Sequence, residues 1–226
     1  MSALFAFARS PREGAARVLR EGSLGGALLL VAGATAISIV HTLRFASGVP
    51  VENVVYGPDR LPVIDALLAA FGTELTAVVV YLFQSVWSAL LVATAVSPLI
   101  LWLLGATAVH AAARLYRIRR PLAPMLVLVG YATGLTRPLA DAVGVAFGPD
   151  GAAAGVGEAA GLVALLWLGI LVWHGIRAHY DAGVDRAAAI LVVAIVLFYL
   201  APVTLVIAAV VAILVAAVVL GYVPAR

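Results

Sequence analysis

Arg137 and Asp141 stand four residues apart in an otherwise apolar run, 122–147, and of all the side chains in this sequence they have the most chemistry available to them. An ionisable residue at membrane depth costs at least about 2.5–3.5 kcal/mol on insertion scales, so each must be compensated. Their spacing puts both on one helical face, where they can neutralise each other, although Pro138 disturbs the turn between them. The preferred expectation is an ion pair near the outer interface that locks helix packing. The functional alternative is a polar site for an ion, a proton or a lipid headgroup, with Glu74 and Asp65 as further members.

A second cluster is basic. Arg114, Arg117, Arg119 and Arg120 fall in one short turn between two apolar runs. Beside a cytoplasmic leaflet such a cluster attracts anionic lipid, at about 1 kcal/mol per charge, or meets a protein partner, and it also acts as a topogenic signal. His110, His174 and His179 lie near helix ends on the same side and are weak candidates for a metal site. No HExxH motif or histidine pair at four-residue spacing supports them, so neither a metal nor another cofactor is expected. His41, toward the far end of the first apolar run, reads as structural. A phosphate loop, a dinucleotide fingerprint, a nucleophile elbow and paired catalytic carboxylates are all missing from the sequence, and with zero cysteines so is thiol catalysis. No enzymatic activity is expected.

The elements that must position these residues are membrane helices. The chain has 226 residues, of which 65% are hydrophobic and 11% charged, far from the half apolar and quarter charged usage of soluble domains. Its mean hydropathy is +1.15. The fold class expected is all-α, a polytopic integral membrane bundle of five transmembrane helices, or six, plus interfacial or re-entrant helices. Residues 1–22 read as a cytoplasmic amphipathic segment, with a capping box and a first-turn proline at Ser10, Pro11 and Glu13, either resting on the membrane surface or serving as a solvated linker. Residues 23–226 form one transmembrane domain, with spans at about 24–44, 92–116, 122–147, 159–177 and 187–222.

Asp65, Glu74 and Gln84 make 62–91 expensive to immerse, so that stretch is expected to be interfacial or re-entrant. Pro98 suggests a kink in the second span, and the Gly/Ala-rich 148–158 reads as a loop. Pro202 marks either a kink in one long helix or the turn of a hairpin, and one kinked helix is preferred. Gly25, Gly26 and Gly33, with Gly105, Gly130 and Gly134, suit close helix packing.

All 14 basic residues are arginine, and the net charge is +3. Most fall in three segments that five spans place on one side: Arg9, Arg12, Arg17 and Arg20, then the basic turn, then Arg177 and Arg186. By the positive-inside rule that side, with the amino terminus, is the cytoplasm. The basic excess therefore reports orientation, and no nucleic-acid partner is expected. The lack of lysine, with abundant alanine, valine and glycine, suggests a GC-rich prokaryotic genome and hence a prokaryotic plasma membrane.

From Trp102 onward the segments WLLGATAVHAAARLYRIRR, VGYATGLTRPLADAVG and LVALLWLGILVWHGIRAHYDAGVDRAAAILVVAIVLFYLAP are similar to the Yip domain family, the Ypt/Rab-interacting membrane proteins and their prokaryotic relatives. The landmarks are His110 and Arg114, Gly130, Tyr131 and Pro138, Trp167, and the short loop before Arg186. The resemblance implies a five-span, non-enzymatic membrane protein with a membrane-organising or partner-binding, trafficking-like role. Membrane lipids, anionic ones among them, a protein partner or a second copy are the partners it implies. The short stretch before the first span departs from the long cytosolic segment of eukaryotic members, which puts Rab recruitment in doubt. The alternative, from a different class, is a small transporter or channel with a polar path around Arg137, Asp141 and Glu74.

Overall fold

The computed structural model describes residues 9–48, 62–147 and 151–219, which form seven helices with no strand among them. They are α1 (Pro11–Glu21), α2 (Leu24–Gly48), α3 (Pro62–Ala95), α4 (Ser97–Leu115), α5 (Ala123–Phe147), α6 (Gly151–Tyr180) and α7 (Val184–Val219).

Helix α5 is the centre, packed by α2, α6, α4 and α1, while α7 closes the side formed by α4 and α6. Contacts fix the directions. Gly26 lies beside Tyr131, Leu30 beside Gly134 and His41 beside Gly144, so α2 and α5 run parallel. Ser97 meets Arg137 and Trp102 meets Leu126, so α4 runs against α5. Leu128 lies against Gly175 and Gly144 against Gly157, so α6 does too. The bundle thus has a basic end, holding α1, the 116–120 turn and the starts of α2, α5 and α7, and a far end where α2 and α5 finish and α4 and α6 begin.

Small residues let the backbones approach. A Cβ on Gly134 would strike Leu30, and one on Gly130 would strike Ala27 and the Trp102 indole. Helices in lipid associate through such van der Waals fit rather than by hiding apolar surface from water. The buried set is accordingly rich in alanine, with Met125, Leu128, Leu171, Ile176 and Ile190 filling the gaps. The outside is apolar instead, with Leu29 76% and Leu166 70% exposed. Three stretches of the described residues, Leu24–Ala46, Ser97–Leu115 and Gly155–Tyr180, are long and apolar enough to cross a membrane.

Several expectations need correction. The apolar face of α1 is buried against α6 and α5, with Ala15 and Val18 fully covered, so it is neither laid on lipid nor a solvated linker. Ser10 precedes α1 but its hydroxyl makes no capping bond. Helix α4 begins at Ser97 rather than 92, because Val96 breaks the helix and Pro98, with its fixed φ and missing N–H, falls in the first turn that follows. The preceding helix, α3, is interrupted at Gly72, whose φ of 74° a side chain would resist. Residues 151–158 are helical, not a loop: alanine is the strongest helix former, no proline stops it, and Gly157 sits against Gly144. Gly25 and Gly33 face open space and pack nothing. Helix α7 passes through Pro202 without a turn.

Candidate functional site

A buried polar layer at the far end grows out of one backbone defect. Pro98 has no N–H to give the carbonyl of Thr94 one turn earlier, so that oxygen needs another donor. The Ser38 hydroxyl of α2 supplies it at 3.1 Å, and Thr42 donates to the Ser38 carbonyl at 2.8 Å. The same break sets Ser97 in the first turn of α4, where its hydroxyl oxygen accepts from Arg137 Nη2 at 3.2 Å. Arg137 Nη2 also donates to Asp141 Oδ1 at 3.2 Å. Asp141 is only 3% exposed, and the Arg137 guanidinium is the group placed to compensate a carboxylate buried there. His41 completes the layer from α2, with Nδ1 3.7 Å from the same carboxylate oxygen and the imidazole lodged where Gly144 carries no side chain.

Hydrogen bonding in this layer is incomplete. Among the described residues, Asp141 Oδ2, Arg137 Nε, Thr133 Oγ1 and His41 Nδ1 are buried with no hydrogen-bond partner. Thr133, Arg137 and Asp141 follow one another at four-residue spacing along one stripe of α5.

The Arg137 and Asp141 side chains, placed on one face by their spacing, do meet. Among the described residues the partners they find come from α2 and α4. Asp65 is exposed on α3, and the side chain of Glu74 lies outside the described set. Sequence reasoning left His41 aside and did not single out Ser97. A signal was present in Pro98, which announces an unsatisfied carbonyl at Thr94 and hence a donor from a neighbouring helix.

The basic end is built differently. Helix α4 ends with Ile118 N–H bonded to the Ala113 carbonyl at 3.1 Å and Arg117 N–H to that of Arg114 at 2.9 Å, a Schellman closure. Its left-handed position, usually glycine, is Arg117 at φ 61°. Two bonds from across the α6–α7 junction pin the turn: Arg186 Nη2 donates to the Tyr116 carbonyl and His179 Nε2 bonds the Pro121 carbonyl at 2.9 Å. Arg114, Arg117 and Arg119 line one open cleft of about 750 Å³, with Arg120 exposed beside them. His110 bonds the Tyr180 hydroxyl at 3.2 Å, and His174 meets the edge of Trp173. Among the described residues no three histidine, aspartate or glutamate side chains gather where they could hold a metal.

Residues 5–206 match the family model described as Yip1 domain. The chain belongs to the Yip1 domain family. No curated protein and no solved structure matches it. Membership, with the apolar helices, makes this Yip1-domain chain a membrane protein, and the family is not known for enzymatic activity. The family match covers both the far-end layer and the basic turn.

Proposed function

We propose that this Yip1-domain chain is a non-enzymatic, membrane-organising component that acts by binding anionic headgroups or partners at its basic end. In this reading α2, α4, α5, α6 and α7 cross the bilayer in alternate directions, giving five spans with the amino terminus and the basic turn in the cytoplasm. The observation that carries the reading is the cleft. Three arginines line one open space, on a turn that two cross-helix bonds hold in place. Guanidinium forks suit phosphate oxygens, and a pinned turn loses little freedom on binding them. The Arg137–Asp141 pair, bonded within α5 and to Ser97, supports a packing role at the far end over a transport path through it.

The test is the anionic lipid that co-purifies with the full chain, quantified by mass spectrometry against a variant with Arg114, Arg117, Arg119 and Arg120 all changed to glutamine. Retained anionic lipid should fall several-fold in the variant, since each engaged arginine is worth about 1 kcal/mol. Equal retention in a correctly folded variant would refute the reading.

A further inference from the structure

The far-end layer holds more polar capacity than packing requires. Asp141 is compensated by Arg137, yet its second carboxylate oxygen is buried and unpartnered. Next after Arg137 among the described residues comes His41, whose Nδ1 is also buried without a described partner and lies 3.7 Å from Asp141 Oδ1. That separation is too long for a hydrogen bond and too short to admit a bridging water. His41 has a second face. It lines a crevice of about 340 Å³ between α2 and α3, together with Thr42, Phe45, Trp87 and Thr94. One imidazole therefore touches both an open crevice and a buried carboxylate.

We propose that His41 and Asp141 form a proton-binding site, entered from the α2–α3 crevice, whose occupancy draws the last turns of α2 onto α5. The proton comes from water in the crevice and adds to the free ring nitrogen. The imidazolium then carries N–H on both nitrogens, so Nδ1–H faces Asp141 Oδ1 whichever tautomer preceded it. The 3.7 Å approach becomes a charge-assisted hydrogen bond, for which the ordinary N···O distance is about 2.7–2.9 Å. No bond to carbon forms or breaks, and Asp141 stays a carboxylate held by Arg137.

Among the described residues the charges that face His41 are few. From α5 come Asp141 and Arg137, from α4 the neutral Ser97, and from α3 the neutral Thr94 and Trp87. Arg44 lies nearly one turn further along α2 itself, and Glu158 of α6, exposed, follows the Gly157 that packs on Gly144. The cluster is neutral with His41 neutral and carries one positive charge when His41 is protonated. Acidification thus tightens the far end, and raising the pH releases it. Nothing here depends on lipid binding at the basic end.

The experiment exploits the absence of cysteine from this chain. Val40 and Ala142 are exposed and line the same groove between α2 and α5. Spin labels at V40C and A142C in the full chain in nanodiscs report their separation at about pH 8 and about pH 5, the window in which imidazoles change charge. The distance should shorten by about 1–2 Å on acidification, an ordinary helix shift, and the response should vanish in His41→Gln. A pH response that survives His41→Gln, or no response in the parent, overturns the proposal. Should the labels perturb the helices, the four histidines permit nitrogen NMR of the unlabelled chain. The resonance lost in His41→Gln must then change protonation across that window and respond to Asp141→Asn. A His41 that remains neutral throughout, or that ignores Asp141→Asn, also overturns it.

Discussion

The two ends of the bundle treat arginine in opposite ways. At the far end Arg137 has a side chain only 16% exposed and is held by Asp141 and Ser97, so its charge is neutralised inside the protein. At the basic end Arg114, Arg117 and Arg119 stand around an open cleft with the turn beneath them fixed by other residues. A buried charge must be answered from within the chain, and that answer stiffens the fold. An exposed one is free to be answered from outside. The same residue type therefore marks helix packing at one end and an interaction surface at the other.

The harshest way to break this contrast is to remove one partner at the far end. Asp141→Ala leaves Arg137 buried and uncompensated, and should cost about 3–5 kcal/mol in unfolding experiments in detergent. The joint replacement of Arg137 by Met and Asp141 by Leu should recover most of that loss. If Asp141→Ala unfolds like the parent, the pair does not hold the bundle.

A smaller effect separates the close helix contact from open surface. Gly134→Val drives a side chain into Leu30 on α2 and should destabilise by about 1–3 kcal/mol. Gly25→Ala meets nothing within 4 Å and should stabilise by about 0.5–1 kcal/mol through backbone entropy. Thermal melts of the two variants should move in opposite directions.

The smallest effect sharpens the description of the basic turn. Arg117 occupies a left-handed position that costs a non-glycine residue about 1 kcal/mol. Arg117→Gly should therefore raise stability slightly while weakening anionic lipid retention. A variant that gains neither stability nor loses lipid would show that Arg117 is ordinary surface.

Which parts of this could be read from sequence follows from how far apart the cooperating residues lie. Arg137 and Asp141 are neighbours on one helix, so their pairing was legible from spacing alone. The 114–120 cluster was equally legible, because charge density is local. His41 and Ser97 reach the layer from α2 and α4, and no periodicity within one helix specifies a partner that distant. Pro98 illustrates the ambiguity: its missing N–H fits either a kink or a first turn, and the break at Val96 decides it. Residues 151–158 were misread because glycine and alanine together suit both loops and tightly packed helices, and only the neighbour at Gly144 separates them. The amphipathic face of α1 pointed to burial without saying whether lipid or protein covers it; α5 and α6 do.

The division of labour between the ends is tested most directly by measuring association of spin-labelled anionic and zwitterionic lipids in proteoliposomes. Three proteins would be compared: the parent, the four-arginine variant of the basic turn, and the Arg137→Met, Asp141→Leu double variant. The expected result is anionic preference in the parent and in the far-end variant, lost only when the basic turn is neutralised. Preference that persists without the turn arginines, or that disappears with the far-end pair, would contradict the assignment of packing to one end and binding to the other.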